Sequence, residues 1–325
     1  MIEIQTQDSK MKDILRLAQT VAASKSSVLV QGEAGTGKTS MARYITERSD
    51  RAKCPFVTVN CAQQPEMLLE TELFGFEKGA FAGTVSEKRG KFEQASGGTL
   101  ILDDVTELSP KLQAKVLRIL ETGLVERIGS RGGIAVDVRV IAITSQNASE
   151  LVAQGKFSET LFYKLSNVRV LMPPLRERLA DLKFIVSQML AAVSSNVNKR
   201  VSGITEDAVQ KLSTYAFPYN LRELDGVLER AVMSAQDGVV RSQDIHVGQQ
   251  APFAVHQGAG AHSANWEAEA QWAPGRTLDD IERAVILKSL SYHNGNRTHT
   301  AKELGISIRT LRNKLNLYRK AGISI

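Results

Sequence analysis

The stretch from Gly32 to Thr39 reads G-E-A-G-T-G-K-T. It follows the apolar run Ser27 to Val30 and precedes Ser40 to Arg48, whose composition favours a helix, so it lies between a strand and a helix. Glycines in such a loop allow main-chain N–H groups to turn toward a bound phosphate. The stretch therefore predicts a phosphate-binding loop, with a plain glycine-rich turn as the alternative.

Each residue type in this loop has a chemical role. Lys38 is expected to reach the β- and γ-oxygens of a triphosphate, and the Thr39 hydroxyl is expected to ligate Mg²⁺. The loop thus predicts ATP and Mg²⁺ as cofactors. The residues predicted to bind nucleotide here are Gly32, Glu33, Ala34, Gly35, Thr36, Gly37, Lys38, Thr39 and Ser40.

Two further apolar runs end in polar side chains. Thr99 to Asp104 reads T-L-I-L-D-D and resembles the acidic strand that accompanies a phosphate-binding loop. In such a strand Asp103 would hold Mg²⁺ and Asp104 would polarise the attacking water. An acidic surface turn is the alternative. Pro55 to Asn60 predicts a second buried strand, with Asn60 at its tip or in a turn. Strands alternating with helices predict an α/β fold with a parallel sheet.

Composition limits the class of protein. The chain has 325 residues, of which 42% are hydrophobic, enough for at least one large core. No apolar run approaches the ~20 residues of a membrane span, and the polar N-terminus is unlike a signal peptide, so we expect a cytoplasmic protein. Cys54 and Cys61 stand alone and the five histidines are scattered, which supports neither a disulfide framework nor a zinc site.

The C-terminal part carries the positive charge. From Arg276 onward there are ten Lys or Arg and four Asp or Glu, a net of +6 that equals the value for the whole chain. Residues 248–275 are rich in small residues and predict a linker. Leu278 to Leu290 predicts an amphipathic helix, and Arg297 to Arg319 has helix-turn-helix spacing, with a short helical hairpin as the alternative. A basic tail of this kind indicates a nucleic-acid partner.

The segment G-A-F-A-G-T at Gly79 to Thr84 resembles the G-A-F-T-G-A signature of bacterial enhancer-binding proteins, the AAA+ ATPases that activate sigma-54 RNA polymerase. Other segments agree with that family. They are V-N-C-A at 59–62, E-L-F-G at 72–75, F-E-Q-A-S-G-G-T-L at 92–100, L-Q-A-K-V-L-R at 112–118, P-P-L-R-E-R at 173–178 and F-P-Y-N-L-R-E-L at 217–224.

This resemblance implies an AAA+ nucleotide-binding subdomain over 1–172, a helical lid over 173–247, the linker, and a Fis-type DNA-binding domain over 276–325. It also implies that Asn60 restrains the hydrolytic acid Asp104 and that Arg222 senses nucleotide. The loop of Gly79, Ala80, Phe81, Ala82, Gly83 and Thr84 would contact the sigma factor through Phe81. In the family a ring, usually a hexamer, converts ATP hydrolysis into remodelling of the closed promoter complex.

Several positions depart from the family pattern. Asp104 stands where glutamate is usual, and Ser145 stands where the sensor asparagine is usual. Ser158 and Lys164 replace two arginines of the subunit interface. An arginine finger contributes a factor on the order of 10³ to 10⁵ in rate, and Lys164 keeps the charge but not the bidentate fork. Three nearby residues could substitute: Arg127, Arg131 and Arg169.

The tail is similar to the Fis-type domain of the same family. Its second helix is expected to enter the major groove, where Arg and Asn side chains read base edges and Lys and Thr contact phosphates. Such modules dimerise, so a palindromic enhancer site is expected. The ending resembles flagellar regulators. The residues predicted to bind DNA are Lys302, Ser307, Arg309, Thr310, Arg312, Asn313 and Lys314.

Three hypotheses follow. The first is a sigma-54-dependent activator whose oligomeric ATPase remodels polymerase while its tail holds DNA. The second is an ATP-binding DNA regulator with weak or no hydrolysis of its own, acting as a repressor or in a mixed ring, which Ser145, Ser158 and Lys164 motivate. A helicase or replication initiator would leave Phe81 and the tail unexplained. With no sensory segment before the ATPase, control is expected from synthesis or a partner.

Overall fold

The computed structural model describes residues 4–81, 86–130, 132–235, 237–248 and 296–320, and positions 282, 285, 286, 289 and 290. The chain divides into two compact units, Met1–Gln250 and Ala251–Ile325. The first contains three hydrophobic clusters and the second contains one. No helix in the described ranges combines the length and the apolar character needed to cross a membrane.

The regular elements of the first unit alternate along the chain. The strands are β1 (Val28–Gln31), β2 (Phe56–Asn60), β3 (Gly75–Phe76), β4 (Lys88–Arg89), β5 (Thr99–Asp103), β6 (Leu124–Glu126), β7 (Gly133–Ala135), β8 (Arg139–Thr144), β9 (Val168–Leu171), β10 (Gly203–Ile204) and β11 (Val239–Val240). The helices are α1 (Ser9–Ala22), α2 (Lys38–Glu47), α3 (Glu66–Phe74), α4 (Lys91–Gln94), α5 (Pro110–Thr122), α6 (Ala148–Ala153), α7 (Glu159–Leu165), α8 (Leu182–Asn196), α9 (Glu206–Ser213) and α10 (Asn220–Ser234).

Five strands form the central parallel sheet, in the order β2-β5-β8-β1-β9. Alternate residues of β1 point to opposite faces: Val28 and Val30 pack with α1 and α2, whereas Leu29 packs with α3, α5 and α7. Every residue of β8 is buried. Because both faces of a parallel sheet are covered by helices, its central strands are mostly apolar, whereas the edge strands β2 and β9 include exposed residues.

The register brings the carboxyl ends of the strands to one edge. Asn60 pairs with Asp103, and Gln31 pairs with Thr144. Ligands of open α/β sheets bind at this edge, in the crevice beyond the strand ends. The helices α8 to α10 follow as a lid with a separate core that includes Leu190, Leu212 and Leu228.

Within residues 296–320 of the second unit, two helices are joined by a turn, α11 (Arg297–Glu303) and α12 (Ile308–Lys320). The turn contains Gly305, whose φ of 65° favours glycine. Side chains from both helices pack with two earlier helical residues, Ile286 and Leu290, in a small core that also includes Ala301, Leu311 and Leu315.

One helix boundary differs from the expectation, and one strand is shorter than its apolar run. The helix after the phosphate loop begins at Lys38 rather than Ser40, because Gly37 adopts the left-handed conformation at its N-cap. The apolar run from Val136 to Thr144 forms a strand only from Arg139, since the main-chain N–H of Val136 donates instead to the Gly123 oxygen beyond α5. The linker expected over 248–275 lies outside the described residues, apart from Gly248.

Candidate functional site

The loop between β1 and α2 depends on two glycines. Gly35 and Gly37 have φ of 78° and 94°, which L side chains rarely adopt. A Cβ at Gly35 would lie 2.2 Å from the main-chain oxygen of Tyr219 in the lid. The lid can approach this closely only because position 35 has no side chain.

Lys38 lies inside the loop and is 6% exposed. Its ammonium donates to the main-chain oxygens of Gly32 and Glu33, both at 2.8 Å. Burial lowers the pKa of Lys38, and the carboxylates of Asp104 and Asp103 oppose that shift. A buried cation close to two carboxylates and at the start of a helix suits a site for phosphate oxygens.

The predicted magnesium ligands come from different elements. The Thr39 hydroxyl at the start of α2 lies 3.5 Å from an Asp103 carboxylate oxygen at the end of β5. Burial and the neighbouring Asp104 carboxylate raise the pKa of Asp103. A hydroxyl and a carboxylate at this spacing are oxygen ligands of the kind that Mg²⁺ prefers, so the residues fit the ion.

Asp104 and Asn60 lie at adjacent strand ends but have different partners. The Ser145 hydroxyl donates to an Asp104 carboxylate oxygen at 3.1 Å. The Asn60 side-chain oxygen accepts the main-chain N–H groups of Ala62 at 2.9 Å and Gln63 at 3.1 Å. Between the side chains of Asn60 and Asp104, the described part of the chain shows no hydrogen bond.

The lid reaches the phosphate loop through the first turn of α10. The main-chain N–H of Leu221 donates to the Gly35 oxygen at 3.0 Å, and Arg222 lies against Gly35 and close enough to Lys38 to lower the pKa of that lysine. The buried Asn220 amide donates to the Ala34 oxygen at 3.0 Å. The structure therefore brings Arg222 to the loop, as the lid arginine of the resemblance requires.

An apolar pocket of about 200 Å³ lies beside Gly37 and Ser40. It is lined from both sides of the unit, by Ile4 and Gln5 of the N-terminal segment and by Ile185, Met189 and Leu221 of the lid. Such a pocket beside a phosphate loop suits the base of a nucleotide. Sequence reasoning missed these residues, because the apolar ones among them have the same pattern as residues of a core.

The loop that contains Phe81 has a fixed stem. Phe76 and Phe81 pack with ring centroids 5.0 Å apart, so Phe81 is 40% exposed rather than a free tip. The Phe76–Glu77 backbone is held by Ile128, whose main-chain oxygen accepts the Glu77 N–H at 2.9 Å. Of the loop residues predicted to contact a partner, Gly79, Ala80 and Phe81 are described, whereas Ala82, Gly83 and Thr84 lie outside the described residues.

Arg127 joins that stem to β6. Its side chain is 8% exposed and pairs with Glu93 at 2.7 Å, Glu77 at 3.1 Å and Glu87 at 3.0 Å. The hydrogen bond from Arg127 lowers the pKa of Glu93. Since three carboxylates already engage this guanidinium, the structure does not offer Arg127 as a substitute finger.

The structure describes three of the four remaining residues connected with the arginine-finger role. Lys164 is exposed on α7, and the described residues include no hydrogen bond or ion pair from it to the phosphate loop. Ser158 acts as the N-cap of α7, accepting the Leu161 N–H. Arg169 is exposed on the edge strand β9, with its guanidinium 5.9 Å from the centre of the Phe162 ring. Arg131 lies outside the described residues.

The second helix of the tail presents polar residues to solvent. Ser307 caps α12 by accepting the Thr310 N–H at 3.0 Å, and Arg309, Thr310, Arg312 and Asn313 are exposed. Lys314 instead pairs with Glu282 at 2.6 Å. Lys302 lies in α11, but its side chain is outside the described set. The predicted DNA-binding residues, apart from Lys314 and Lys302, therefore share an accessible surface at the start of α12.

Comparisons with known proteins agree with this organisation. Three family models match: the sigma-54 interaction domain over residues 4–171, the AAA+ ATPase lid domain over 176–253, and the Fis family of bacterial regulatory proteins over 277–318.

Individual relatives match along most of the chain. The transcriptional regulatory protein FlbD of Caulobacter vibrioides is 40% identical over 98% of this chain and 70% of its own length. The response regulator FleR of Pseudomonas aeruginosa is 40% identical over 97% of this chain and 70% of its own. A crystal structure of NtrX from Brucella abortus in complex with ATP has 30% sequence identity to this chain and a TM-score of 0.67. The match covers 97% of this chain and 69% of the NtrX chain. This chain belongs to the family of sigma-54-dependent transcriptional regulators that combine an AAA+ ATPase with a Fis-type helix-turn-helix.

Proposed function

We propose that this chain activates transcription by sigma-54 RNA polymerase, binding and hydrolysing ATP in an oligomeric ring while its Fis-type domain holds upstream enhancer DNA. The proposal rests on the contact between the Thr39 hydroxyl and the Asp103 carboxylate, beside the buried Lys38 and next to Asp104. Nucleotide binding is common to the family. Because DNA and polymerase are its partners, we place the protein in the cytoplasm.

In this proposal each residue of the site has one task. Gly35 and Gly37 allow the loop to surround the phosphates, Lys38 offsets their charge, and the Thr39 hydroxyl and Asp103 would hold Mg²⁺. The bound ion would supply neutralisation of the phosphate charge. Asp104 orients the water: as the water oxygen bonds to the γ-phosphorus, the bond to the bridging oxygen breaks, and the water proton passes to the carboxylate. The products are ADP and phosphate.

The ring completes the site in trans. Lys164 and Arg169 are exposed on neighbouring elements, α7 and β9. We propose that this surface of one subunit faces the nucleotide of the next in a hexameric ring, the usual stoichiometry of the family. The loop from Gly79 to Thr84 contacts the sigma factor through Phe81. The Fis-type domains pair on a palindromic site, and the resemblance of the tail suggests flagellar target genes.

The test is ATP turnover by the full chain as a function of its concentration, with Lys38→Ala as the blank. Turnover that rises cooperatively with concentration supports a ring that completes its own site. Turnover no higher than the blank, with ATP still bound, would contradict autonomous hydrolysis and leave the non-hydrolysing regulator or mixed-ring partner.

The sigma-factor contact needs its own test. Purified sigma-54 is incubated with the chain in the presence of ADP and aluminium fluoride, and the complex is measured by native gel. Phe81→Ala is expected to abolish the complex while ATP turnover stays within about twofold, because Phe81 packs against Phe76 in the stem of its own loop. A complex that forms equally well with Phe81→Ala would refute this role.

A further inference from the structure

One buried carboxylate at the start of the lid holds the N-terminal segment. Asp181 directly precedes α8 and is 1% exposed. Its two oxygens accept the Thr6 hydroxyl at 2.6 Å, the main-chain N–H of Gln7 at 2.6 Å and that of Asp8 at 3.1 Å. The donors lie 173 to 175 positions earlier in the chain, and hydrogen bonds to a carboxylate are stronger than those between neutral groups. Asp181 therefore fixes the course of residues 6–8 beside the lid.

The same short stretch of the lid also holds the phosphate-binding loop. Arg178 is 5% exposed and donates to the main-chain oxygen of Thr36 at 2.8 Å. The Asp181 main-chain N–H in turn donates to the Arg178 oxygen at 3.0 Å, so the two side chains belong to one hydrogen-bonded turn. The N-terminal segment and the phosphate loop are therefore attached to the same turn through different side chains.

Both attached segments line the pocket of about 200 Å³ beside the phosphate loop. Ile4 and Gln5 come from the N-terminal segment, and Gly37 comes from the loop. Residues 4–8 have no regular secondary structure, so the packing of Ile4 on the core and the hydrogen bonds to Asp181 keep them beside the pocket. A ligand that enters a pocket with its wall already in place does not have to order that wall, and its affinity is higher for that reason.

We propose that Asp181 is a positioning residue for nucleotide binding: by holding residues 6–8 it keeps Ile4 and Gln5 against the nucleoside part of ATP. Asp181 thereby sets how much the nucleoside adds to the affinity that the phosphates provide. This inference rests on the binding of ATP in the proposed function. It assigns Asp181 no contact with the phosphates, which depend on Lys38 and the glycine loop.

The first experiment measures the dissociation constants of ATP and of inorganic tripolyphosphate by calorimetry, with Mg²⁺, for the full chain and for Asp181→Ala. Tripolyphosphate has the phosphates without the nucleoside, so the ratio of its dissociation constant to that of ATP isolates the contribution of the nucleoside. Asp181→Ala is expected to lower this ratio about tenfold while the tripolyphosphate constant stays within about twofold, because only the wall beside the nucleoside is released. Equal weakening of both ligands, or an unchanged ratio, would overturn the proposal.

A shortened chain shows whether Asp181 acts through the N-terminal segment. A chain that begins at Asp8 lacks Ile4, Gln5 and two of the three donors, but it keeps the Asp8 cap of α1. Its ratio is expected to be lowered already, and Asp181→Ala is expected to change that ratio by less than about twofold, since both changes release the same wall. An unchanged ratio in the shortened chain, or a further loss of about tenfold from Asp181→Ala within it, would refute the proposal.

Two further variants separate positioning from a general loss of stability. Asp244→Ala removes another buried carboxylate of the lid, which is 7% exposed, accepts the Arg241 N–H at 2.9 Å and lies outside the pocket lining that the structure describes. Its ratio is expected to stay within about twofold of that of the unaltered chain. Thr6→Val keeps Asp181 and removes one of its hydrogen bonds, so the ratio is expected to fall about threefold. A fall in Asp244→Ala as large as that in Asp181→Ala, or no fall in Thr6→Val, would contradict the positioning role.

Turnover provides a readout that a purely structural role would not give. In Asp181→Ala the KM for ATP is expected to rise about tenfold while kcat stays within about threefold, because the nucleoside takes no part in the transfer of the phosphoryl group. A fall of kcat at an unchanged KM would contradict the proposal. If the unaltered chain binds ATP but turns it over no faster than Lys38→Ala, the proposed hydrolysis fails, yet the two dissociation constants still decide the role of Asp181.

Discussion

The carboxylate of Glu33 in the phosphate-binding loop and the guanidinium of Arg176 at the start of the lid form a two-point ion pair, with nitrogen–oxygen distances of 2.6 and 2.8 Å. The Asn220 amide donates to the same carboxylate at 3.2 Å. Two segments of the lid therefore bind one side chain of the loop. This contact fixes the position of the loop relative to the start of the lid.

This contact predicts a pH dependence of stability. The hydrogen bond from Arg176 lowers the pKa of Glu33 from its ordinary value of 4.5 to about 2 in the folded protein, although burial opposes the shift. Its stabilising effect is therefore complete above pH 4.5 and is lost as the pH falls through about 2. The Tm difference between the unaltered chain and Glu33→Gln is expected to be constant near neutrality and to shrink between pH 4.5 and 2.

Glu206→Gln is the matched control. Glu206 pairs with Lys183 at 2.6 Å within the lid, but its side chain is 87% exposed, so solvent screens the pair and the pH-dependent difference in Tm is expected to be smaller. Glu33 is itself partly exposed, so the effect is modest in size. Equal pH profiles for the two variants would refute a special role for the Glu33 contact.

Replacement of Arg127 is expected to destabilise the first unit. Arg127→Ala leaves the carboxylate of Glu93, itself 8% exposed, without its cation, together with Glu77 and Glu87. Loss of one partner of such a buried pair costs about 3–5 kcal/mol of unfolding free energy. Urea denaturation of the full chain measures the change.

Arg118→Ala provides the comparison for Arg127. Arg118 pairs with Glu126 at 2.5 Å, but both side chains are about half exposed, and such pairs contribute roughly 0–1 kcal/mol. If Arg127→Ala cost no more than Arg118→Ala, the buried cluster would not be what holds the stem of the Phe81 loop.

Gly35→Ala is expected to disable the nucleotide site. The new Cβ would lie 2.2 Å from the Tyr219 oxygen, so loop and lid must move apart. The left-handed φ adds a backbone cost of about 1–2 kcal/mol to the folded state. The affinity for ATP, measured by calorimetry, is expected to fall at least about tenfold.

Gly155→Ala isolates the backbone cost from the steric one. Gly155 has φ of 68° but nothing within 4 Å of an added Cβ. The Gly155→Ala variant is expected to lose about 1–2 kcal/mol of unfolding free energy and to keep its affinity for ATP. Similar losses of ATP affinity in both variants would mean that the close approach at Gly35 is unimportant.

The salt dependence of DNA binding should distinguish two residues of α12. Arg312 is exposed, whereas the Lys314 ammonium is already paired with Glu282. On a generic duplex, which offers no specific base contact, Arg312 is expected to lie against phosphate, so Arg312→Gln lowers the slope of log Kobs against log salt by about 0.9. Lys314→Gln is expected to change the slope less because of the ion pair with Glu282, and a larger change for Lys314→Gln would mean that this ion pair opens and Lys314 contacts phosphate.

Local patterns in the sequence determined the phosphate loop, the strand that ends at Asp103, and the two helices of the tail. These features depend on neighbours within a few residues: glycines for a tight loop, an apolar run for a buried strand, and a serine cap for a helix. The carboxyl ends of parallel strands meet at one edge, so even the proximity of Asp103 to the loop could be predicted from the order of elements.

Only the tertiary structure decided which side chains meet across that edge. Glu33 and Arg176 are separated by 143 positions, and Asp104 and Ser145 by 41. The sequence treated Asp104 and Ser145 as separate departures, and it offered Arg127 as a free arginine although three carboxylates bind it. Such contacts depend on strand register and on how the lid packs, which arise from the whole core rather than from any local run of residues.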